Sequence, residues 1–492
     1  MYNPTITMDK KPIMAVVVVA ILLVAGCGVY MALSKDNGNG GIGIDDLSAS
    51  GNYLKIFGNA NGDYRLDDED IGIIQDYIDG KTAYNDLISV QESDGGMIYK
   101  LADANCDGVV DKDDIAYLKG IIDRTGEGMK LIDTFGHLVT VPLKIDRVAC
   151  DYFATAELLN MVGVQDKIVA ASKALCVLSD YYLMNADMSK VVNFNSRTGT
   201  NTDFEAVAEA DPQVWVVSED YGPVYEGKTK AVVVGLDTLV FDFDDILSSS
   251  PIMSALLAGY IFDNVDKGIE YVKWYLKTWN MLNDKTKDIA ESDRPTVFYT
   301  GYGQNITMDP DTGKTMQTET KKARVFLSNT VCWQAVRLAG GHNIIDDYPS
   351  EITPSKRPTS GVYTDLEWLS EQKYDYLFVH CTKYTGSGVM SKVVPNHGYT
   401  CDDSTEYRTA QDTLADIDLY RNACSAENMY LTPGDFMNGA SGGLISAIMV
   451  ATVINANLFP DLDLNHELQT YIDMMGFDYD VSKHGTFFLY NE

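Results

Sequence analysis

The chain has 492 residues, a hydrophobic content of 46% and a formal net charge of −33. Its length favours two or three domains, and its hydrophobic content is ordinary for a globular protein. The negative charge argues against nucleic acid and anionic membrane surfaces as partners, because both repel acidic proteins. The same charge supplies carboxylates for divalent cations.

Residues 13–33 form an apolar, uncharged segment that is long enough to cross a bilayer as a helix. Two lysines precede it, so the positive-inside rule leaves residues 1–12 in the cytoplasm and the rest of the chain outside the cell. A cleaved signal peptide and a lipoprotein signal ending at Cys27 are the alternatives. The sequence therefore predicts a protein held on the extracellular face of the membrane, with a polar linker over 34–50.

The chain has 8 cysteines, and no two of them have the C-x-x-C spacing. Zinc sites and thioredoxin-type redox motifs therefore lack support. An extracellular location permits disulfides, but the sequence does not give their pairing.

Two twelve-residue segments, NANGDYRLDDED (59–70) and DANCDGVVDKDD (103–114), repeat one pattern. Each has oxygen-bearing side chains at positions 1, 3, 5, 9 and 12, which is the ligand order of a calcium loop with a backbone carbonyl at position 7. The sequence therefore predicts two calcium ions. The predicted ligands are Asn59, Asn61, Asp63, the Arg65 carbonyl, Asp67 and Asp70 in the first loop, and Asp103, Asn105, Asp107, the Val109 carbonyl, Asp111 and Asp114 in the second.

A helical pattern with one apolar face follows each loop at the same offset. The matching apolar residues are Ile71, Ile74, Tyr77 and Ile78 after the first loop, and Ile115, Leu118, Ile121 and Ile122 after the second. Neither repeat can bury its face alone, so we expect the two helices to pack on each other.

This duplicated loop–helix pattern, with aspartate at position 12, resembles the dockerin module over residues 56–124. The resemblance implies a small all-α calcium-binding module over 51–127 and a cohesin-like protein as its partner. Two residues depart from the pattern: Tyr64 stands at position 6, where glycine is usual, and Asn59 replaces aspartate at position 1. We therefore expect weaker calcium binding in the first loop.

In dockerins, positions 10 and 11 of each loop often contact the partner. Here these positions hold Asp68 and Glu69 in the first loop and Lys112 and Asp113 in the second. They are more charged than is common, which leaves the partner's identity open. The alternative is a calcium-stabilised spacer that binds no partner.

After the repeats, apolar β-type segments alternate with helical patterns, which predicts an α/β fold with parallel sheets. A long helix over 264–292 is expected to join an N-lobe (130–263) to a C-lobe (293–492). The predicted strands are residues 147–150, 167–172, 214–218, 238–243, 296–300 and 376–380.

Three segments carry a second resemblance: NTDFEAVAEADPQVWVVSED (201–220), VCWQAVRLAGGHNIID (331–346) and TDLEWLSEQKYDYLFVH (364–380). Over 131–465 the chain resembles the cluster-A, helix-hinged substrate-binding proteins of ABC importers for ferric siderophores, haem and cobalamin. The resemblance implies two Rossmann-like lobes joined by one helix, a ligand in the cleft, little closure on binding, and an ABC permease and ATPase complex as partners.

Ligands in such folds contact the loops at the C-terminal ends of the strands. The aromatic residues on these loops suit a flat macrocycle or a catecholate, and Arg197 is suited to a ligand carboxylate. The predicted ligand contacts are Tyr181, Tyr182, Arg197, Tyr221, Tyr302, Trp333, Tyr384 and Phe436.

Two glutamates, Glu205 and Glu367, precede a predicted strand by the same interval, one in each lobe. In the family that the chain resembles, a glutamate at this place in each lobe meets arginines of the membrane subunits. The alternative is that both are solvated acids at helix starts, where the helix dipole favours them.

Residues Gly439–Gly443 match the G-x-S-x-G pattern of a nucleophile elbow, but Pro433 and Gly434 interrupt the strand that an elbow requires. Glycines that open a helix explain the pattern better. We therefore expect no enzyme but the extracellular solute-binding component of an ABC importer. The rival hypothesis is a dockerin-bearing secreted hydrolase that acts on polysaccharide through a carboxylate pair.

Overall fold

The computed structural model describes most of the chain after residue 42. The described residues are 43–178, 183–184, 186–194, 202–218, 237–301, 306–308, 315–317, 322–328, 330–349, 362–381, 398–399, 412, 415, 418–436 and 438–487.

Helices and strands are numbered in chain order. The helices are α1 (Asp68–Ile78), α2 (Lys112–Ile122), α3 (Phe153–Met161), α4 (Phe204–Glu209), α5 (Ser250–Ile261), α6 (Val265–Thr286), α7 (Val331–Leu338), α8 (Leu366–Glu371), α9 (Asp418–Arg421), α10 (Ala440–Ile454) and α11 (Leu464–Met474). The strands of the first half are β1 (Ser89–Gln91), β2 (Ile98–Lys100), β3 (Gly128–Ile132), β4 (Leu138–Pro142), β5 (Val148–Cys150), β6 (Ile168–Ala171), β7 (Val192–Asn193), β8 (Val214–Ser218) and β9 (Asp237–Phe241). Those of the second half are β10 (Thr296–Gly301), β11 (Ile306–Met308), β12 (Thr315–Gln317), β13 (Lys322–Val325), β14 (His342–Asn343), β15 (Val362–Asp365), β16 (Tyr376–Cys381) and β17 (Met429–Pro433).

The duplicated repeats form one module in which α1 and α2 contact each other, as the apolar spacing predicts. Both helices begin with the same capping box, in which Asp67 and Asp111 accept the N–H groups of Glu69 and Asp113 at 2.8 Å. The expectation of an all-α module is wrong, because the antiparallel hairpin β1–β2 lies between the two repeats.

The module is packed directly on the N-lobe. Residues 55–57 pair with the edge of β3, where the Phe57 N–H donates to the Lys130 carbonyl at 2.9 Å. Apolar residues of the module and of the N-lobe belong to one continuous hydrophobic core. Ile44 and Leu47, within the predicted linker, are buried in the same core.

The N-lobe is an open parallel sheet with the strand order β7-β6-β5-β8-β9. The four strands predicted in this lobe are β5, β6, β8 and β9, and all four are confirmed. They are apolar and buried on both faces, as expected when helices cover both sides of a parallel sheet.

Helix α6 leads from the N-lobe to the C-lobe and ends at Thr286, earlier than the predicted end at 292. It packs against α5, where Gly268 permits close approach: a Cβ there would lie 2.9 Å from the Ala255 carbonyl oxygen. The Thr286 hydroxyl donates to the carbonyls of Leu282 and Leu338, both at 3.0 Å. These bonds fix the end of α6 against α7 of the C-lobe.

The C-lobe contains a parallel sheet with the strand order β14-β10-β16-β17. Strands β10 and β16 confirm the two strands predicted there. Helix α10 is apolar around most of its circumference and is almost wholly buried, so it forms the centre of this lobe.

The predicted membrane-spanning segment 13–33 lies outside the described residues. Among the helices that the structure does describe, none combines the length and the apolar character needed to cross a bilayer.

Candidate functional site

The N-lobe sheet reverses its strand order between β5 and β8, and in open α/β sheets this switch point marks the ligand crevice. Asp151 follows β5 there, and its carboxylate accepts the Ser218 N–H at the end of β8 at 3.2 Å. Burial raises the pKa of Asp151 to about 8, although hydrogen bonds from Ser218 and Thr155 oppose this shift. The floor of the N-lobe crevice thus holds a buried acid.

The corresponding point of the C-lobe lies between β10 and β16. His380 is buried at the end of β16, beside Gly301 of β10, and its ring meets Phe326 edge-on at 5.9 Å. Nearby, the hydroxyls of Tyr299 and Thr432 are 2.8 Å apart. The two lobes therefore place polar groups at their matching crevices.

Asp151, Ser218 and His380 were not among the predicted site residues. Each stands at or directly after the last residue of a predicted strand, which is the signal that could have found them. The prediction instead favoured aromatic residues and Arg197, which stand farther along the sequence from the strand ends.

Most predicted ligand contacts lie outside the described residues: Tyr181, Tyr182, Arg197, Tyr221, Tyr302 and Tyr384. Trp333 is half-buried at the start of α7, and its indole N–H donates to Asp346 at 2.9 Å. Phe436 is fully buried among the rings of Tyr399, Tyr471 and Phe487. Trp333 packs against one hydrophobic cluster, and Phe436 belongs to another.

The two predicted docking glutamates have equivalent places in the two lobes. Glu205 lies in the first turn of α4 and Glu367 in the first turn of α8, and both side chains are exposed. Each helix leads into a parallel strand of its own lobe, β8 or β16. Neither glutamate is buried within its lobe.

The serine of the G-x-S-x-G pattern, Ser441, is fully buried in the first turn of α10. Its hydroxyl pairs with the Tyr271 hydroxyl of α6 at 3.2 Å. This placement agrees with glycines that open a helix and not with an exposed nucleophile.

In the second predicted calcium loop, the carboxylates are turned onto backbone N–H groups. Asp103 accepts from Asp107 at 3.1 Å and from Gly108 at 2.9 Å, and Asp114 accepts from Asn105 at 3.1 Å and from Asp111 at 2.8 Å. Burial raises the pKa of both Asp103 and Asp114. Gly108 at position 6 has a φ of +92°, which glycine adopts readily.

The first loop has the same closure between its ends, because Asp70 accepts the N–H groups of Asn61 and Asp67 at 3.1 and 3.0 Å. It differs where the sequence departs from the pattern: Tyr64 at position 6 is not left-handed. The Asn59 amide donates to the carbonyls of Leu54 and Asp63, at 2.7 and 2.8 Å. Burial raises the pKa of Asp70 to about 7.

The donor set of both loops fits calcium, which prefers carboxylate, amide and carbonyl oxygens. The Asn59 Oδ1 atom is also buried without a hydrogen-bond partner in the described structure, as an oxygen awaiting a cation would be. Within the described ranges, however, no three His, Cys, Asp or Glu side chains converge closely enough to hold an ion.

Two open parallel sheets, each with a switch point and joined by one long helix, define the fold of a two-lobed binding protein. The sequence matches the family described as periplasmic binding protein over residues 148–402, which is more than half of the chain. The chain belongs to this family. No curated protein matches it.

Solved structures share the fold. The TroA-like periplasmic binding protein FepB of Veillonella parvula is 17% identical with a TM-score of 0.55, over 74% of this chain and 99% of that chain. The molybdate-binding protein MolA of Haemophilus influenzae is 14% identical with a TM-score of 0.50, over 71% of this chain and 98% of that chain. At these identities the likeness concerns the fold.

Proposed function

We propose that the chain is the solute-binding component of an ABC importer, held on the outer face of the membrane by residues 13–33. The observation that carries the proposal is the match to the periplasmic binding protein family over residues 148–402. The two lobes, the switch point in each parallel sheet and the single connecting helix support it. A family of binding proteins also favours ligand binding over catalysis.

The ligand that we propose is a metal chelate of the ferric siderophore, haem or cobalamin class. Aromatic residues predicted on the cleft loops support this class. Neighbours in fold include a protein named FepB and a molybdate binder, so an oxyanion is the competing ligand class. Titration of the intact chain with cyanocobalamin, haem, a ferric tris-catecholate and molybdate, followed by tryptophan fluorescence, distinguishes the classes. Binding of molybdate alone would contradict the chelate proposal.

We propose further that the two loops of the module bind calcium. A cation that binds only the folded state stabilises it by about 2.7 kcal/mol at a hundredfold excess over its Kd. Chelation with EGTA should therefore lower the helical signal of 51–127 and the melting temperature. Asp114→Ala should remove one site, whereas Asp113→Ala, an exposed neighbour outside the ligand set, should keep both. Two-site calcium binding by the Asp114 variant would contradict the assignment of Asp114 as a calcium ligand.

The module's partner is proposed to be a cohesin-like protein. The four side chains at the predicted contact positions, Asp68, Glu69, Lys112 and Asp113, are exposed, so the packing of the module on the N-lobe leaves them accessible. The permease and ATPase complex is the proposed partner of Glu205 and Glu367.

A further inference from the structure

Glu157 is a buried acid that reaches from one lobe to the other. It lies on α3 of the N-lobe, and its Oε1 accepts the Gly442 N–H at 2.9 Å and the Tyr471 hydroxyl at 2.8 Å. Its Oε2 accepts the Ser441 N–H at 3.2 Å. Ser441 and Gly442 form the first turn of α10, and Tyr471 lies on α11, so these three donors belong to the C-lobe.

Gly439, directly before α10, makes room for this carboxylate, and Gly442 makes room for the neighbouring Phe436 backbone. A Cβ at Gly439 would lie 1.9 Å from Glu157 Oε2, and a Cβ at Gly442 would lie 2.8 Å from the Phe436 Cα. No larger residue fits at either place without moving backbone or the buried acid. The contact between the lobes therefore explains Gly439, and close packing within the C-lobe explains Gly442.

Further contacts hold the same C-lobe segment. The Ala440 N–H donates to the Phe243 carbonyl of the N-lobe at 2.8 Å. The Tyr152 hydroxyl of the N-lobe lies 3.4 Å from Asn438 Oδ1. The held segment follows β17, at the C-terminal edge of the sheet, where the C-lobe wall of the crevice lies.

We propose that Glu157 is the positioning residue of the cleft: its carboxyl group fixes the start of α10 against the N-lobe and thereby sets the separation of the two cleft walls. A buried carboxyl group that accepts three hydrogen bonds from the other lobe is a directional joint that apolar packing alone does not provide.

The titratable groups that face Glu157 are phenols: Tyr471 from α11, and Tyr271 and Tyr275 from α6. Burial raises the pKa of Tyr271 and Tyr275 well above the ordinary value, so neither ionises near neutral pH. Burial also raises the pKa of Glu157 to about 7, against its three donors. Ionisation therefore favours the opened state, in which water reaches the carboxylate, and the joint weakens as pH rises toward neutral and beyond.

Hydrogen–deuterium exchange of the intact chain tests the proposal directly. In Glu157→Ala the backbone amides of residues 440–443 should exchange at least tenfold faster than in the wild type, and Tyr471→Phe should give a smaller increase. Tyr374→Phe is the matched control, because its hydroxyl is buried without a hydrogen-bond partner in the described structure. If the alanine variant fails to fold, the Tyr471 variant and the pH profile below decide.

The pH profile separates this role from a merely structural one. After correction for the intrinsic rate of exchange, the wild-type amides at 440–443 should become less protected between pH 5 and pH 8. Glu157→Gln keeps the shape of the side chain but cannot ionise, so its profile should be flat. A wild-type profile in the Gln variant, or unchanged exchange in both the Ala and Tyr471 variants, would overturn the proposal.

The consequence for ligand affinity rests on the proposed solute-binding function. A probe that binds the wild type, from among cyanocobalamin, haem and the ferric tris-catecholate, should bind Glu157→Ala at least tenfold more weakly. Equal affinity would refute control of the cleft by Glu157. If no probe binds the wild type, the proposed ligand class fails, and the exchange measurements still decide whether Glu157 joins the lobes.

Discussion

Asp151 is a buried acid that makes the stability of the folded protein fall as pH rises. Its pKa of about 8 in the folded protein lies above the ordinary value of 3.8, so between these values the folded state holds a proton that the unfolded state has released. Stability therefore falls as pH rises from about 4 to about 8. Asp151→Asn removes this dependence. The free energy of unfolding of the variant, relative to that of the wild type, should therefore rise by up to about 1.4 kcal/mol for each unit of increasing pH.

Urea unfolding of the wild type and of Asp151→Asn at pH 5, 6, 7 and 8 provides the measurement. Asp187→Asn is the control, because hydrogen bonds from Lys190 and Ser189 hold the pKa of Asp187 at about 2 and the group stays ionised throughout this range. A constant difference between the Asp151 variant and the wild type across these pH values would contradict the buried-acid assignment.

Some individual site residues can be predicted from the sequence and others cannot. The calcium-type ligands lie within twelve-residue loops, so spacing alone identifies them. The partners of Glu157 are 284 and 285 residues away along the chain, at Ser441 and Gly442. No local sequence pattern predicts such a contact. The only local signal was the glycines at 439–443, and their pattern matched the G-x-S-x-G motif of a nucleophile elbow instead.

Among the helices, α5 is held at its C-terminal end by both repeats of the module. The Tyr260 hydroxyl accepts the Leu66 N–H of the first loop at 2.8 Å. Arg124, just after α2, donates to the Tyr260 carbonyl and pairs with Asp263 at 3.0 Å. Because α6 begins directly after this point, the module fixes the origin of the connecting helix.

Replacing Tyr260 with phenylalanine should destabilise the protein by about 1–3 kcal/mol, because the Leu66 N–H is then buried without an acceptor. Urea unfolding measures the change, with Tyr374→Phe as the control that loses no hydrogen bond in the described structure. Equal stability of the Tyr260 and Tyr374 variants would show that the hydrogen bond between Leu66 and Tyr260 does not stabilise the protein.

The elements themselves follow from sequence to the extent that their pattern is strong. The six predicted strands are apolar segments buried on both faces of parallel sheets, and all six are present. Strand β17 was missed because its sequence, MYLTP, ends in proline and carries no repeating pattern. The hairpin β1–β2 was missed because each strand has three residues and only one of the six, Val90, is buried.

For the molecule as a whole, the docking role proposed for Glu205 and Glu367 predicts how it meets a two-fold partner. One exposed carboxylate on each lobe fixes orientation better than one on a single lobe would, and charge steers the encounter. Glu205→Lys with Glu367→Lys should abolish uptake of a bound probe by cells that carry the permease while leaving the affinity of the purified protein unchanged.

Helices α4 and α8 each supply a control residue for this prediction. Glu209 and Glu371 are exposed at the opposite ends of α4 and α8, so Glu209→Lys with Glu371→Lys makes the same change in net charge. Uptake should survive in this control pair. Loss of uptake in both pairs would indicate a general charge effect instead of a specific contact.

The shared core of the repeat module and the N-lobe has a consequence for where the protein can be divided. Ile56 bridges to Leu131 of β3, and both side chains are fully buried. A chain that began at residue 128 would expose this edge of β3 to water, together with the surface of α5 around Tyr260 that the module covers. The module is thus part of the same folding unit as the N-lobe and not an independent domain on a flexible linker. A partner bound to the module would therefore be held in a fixed orientation relative to the cleft.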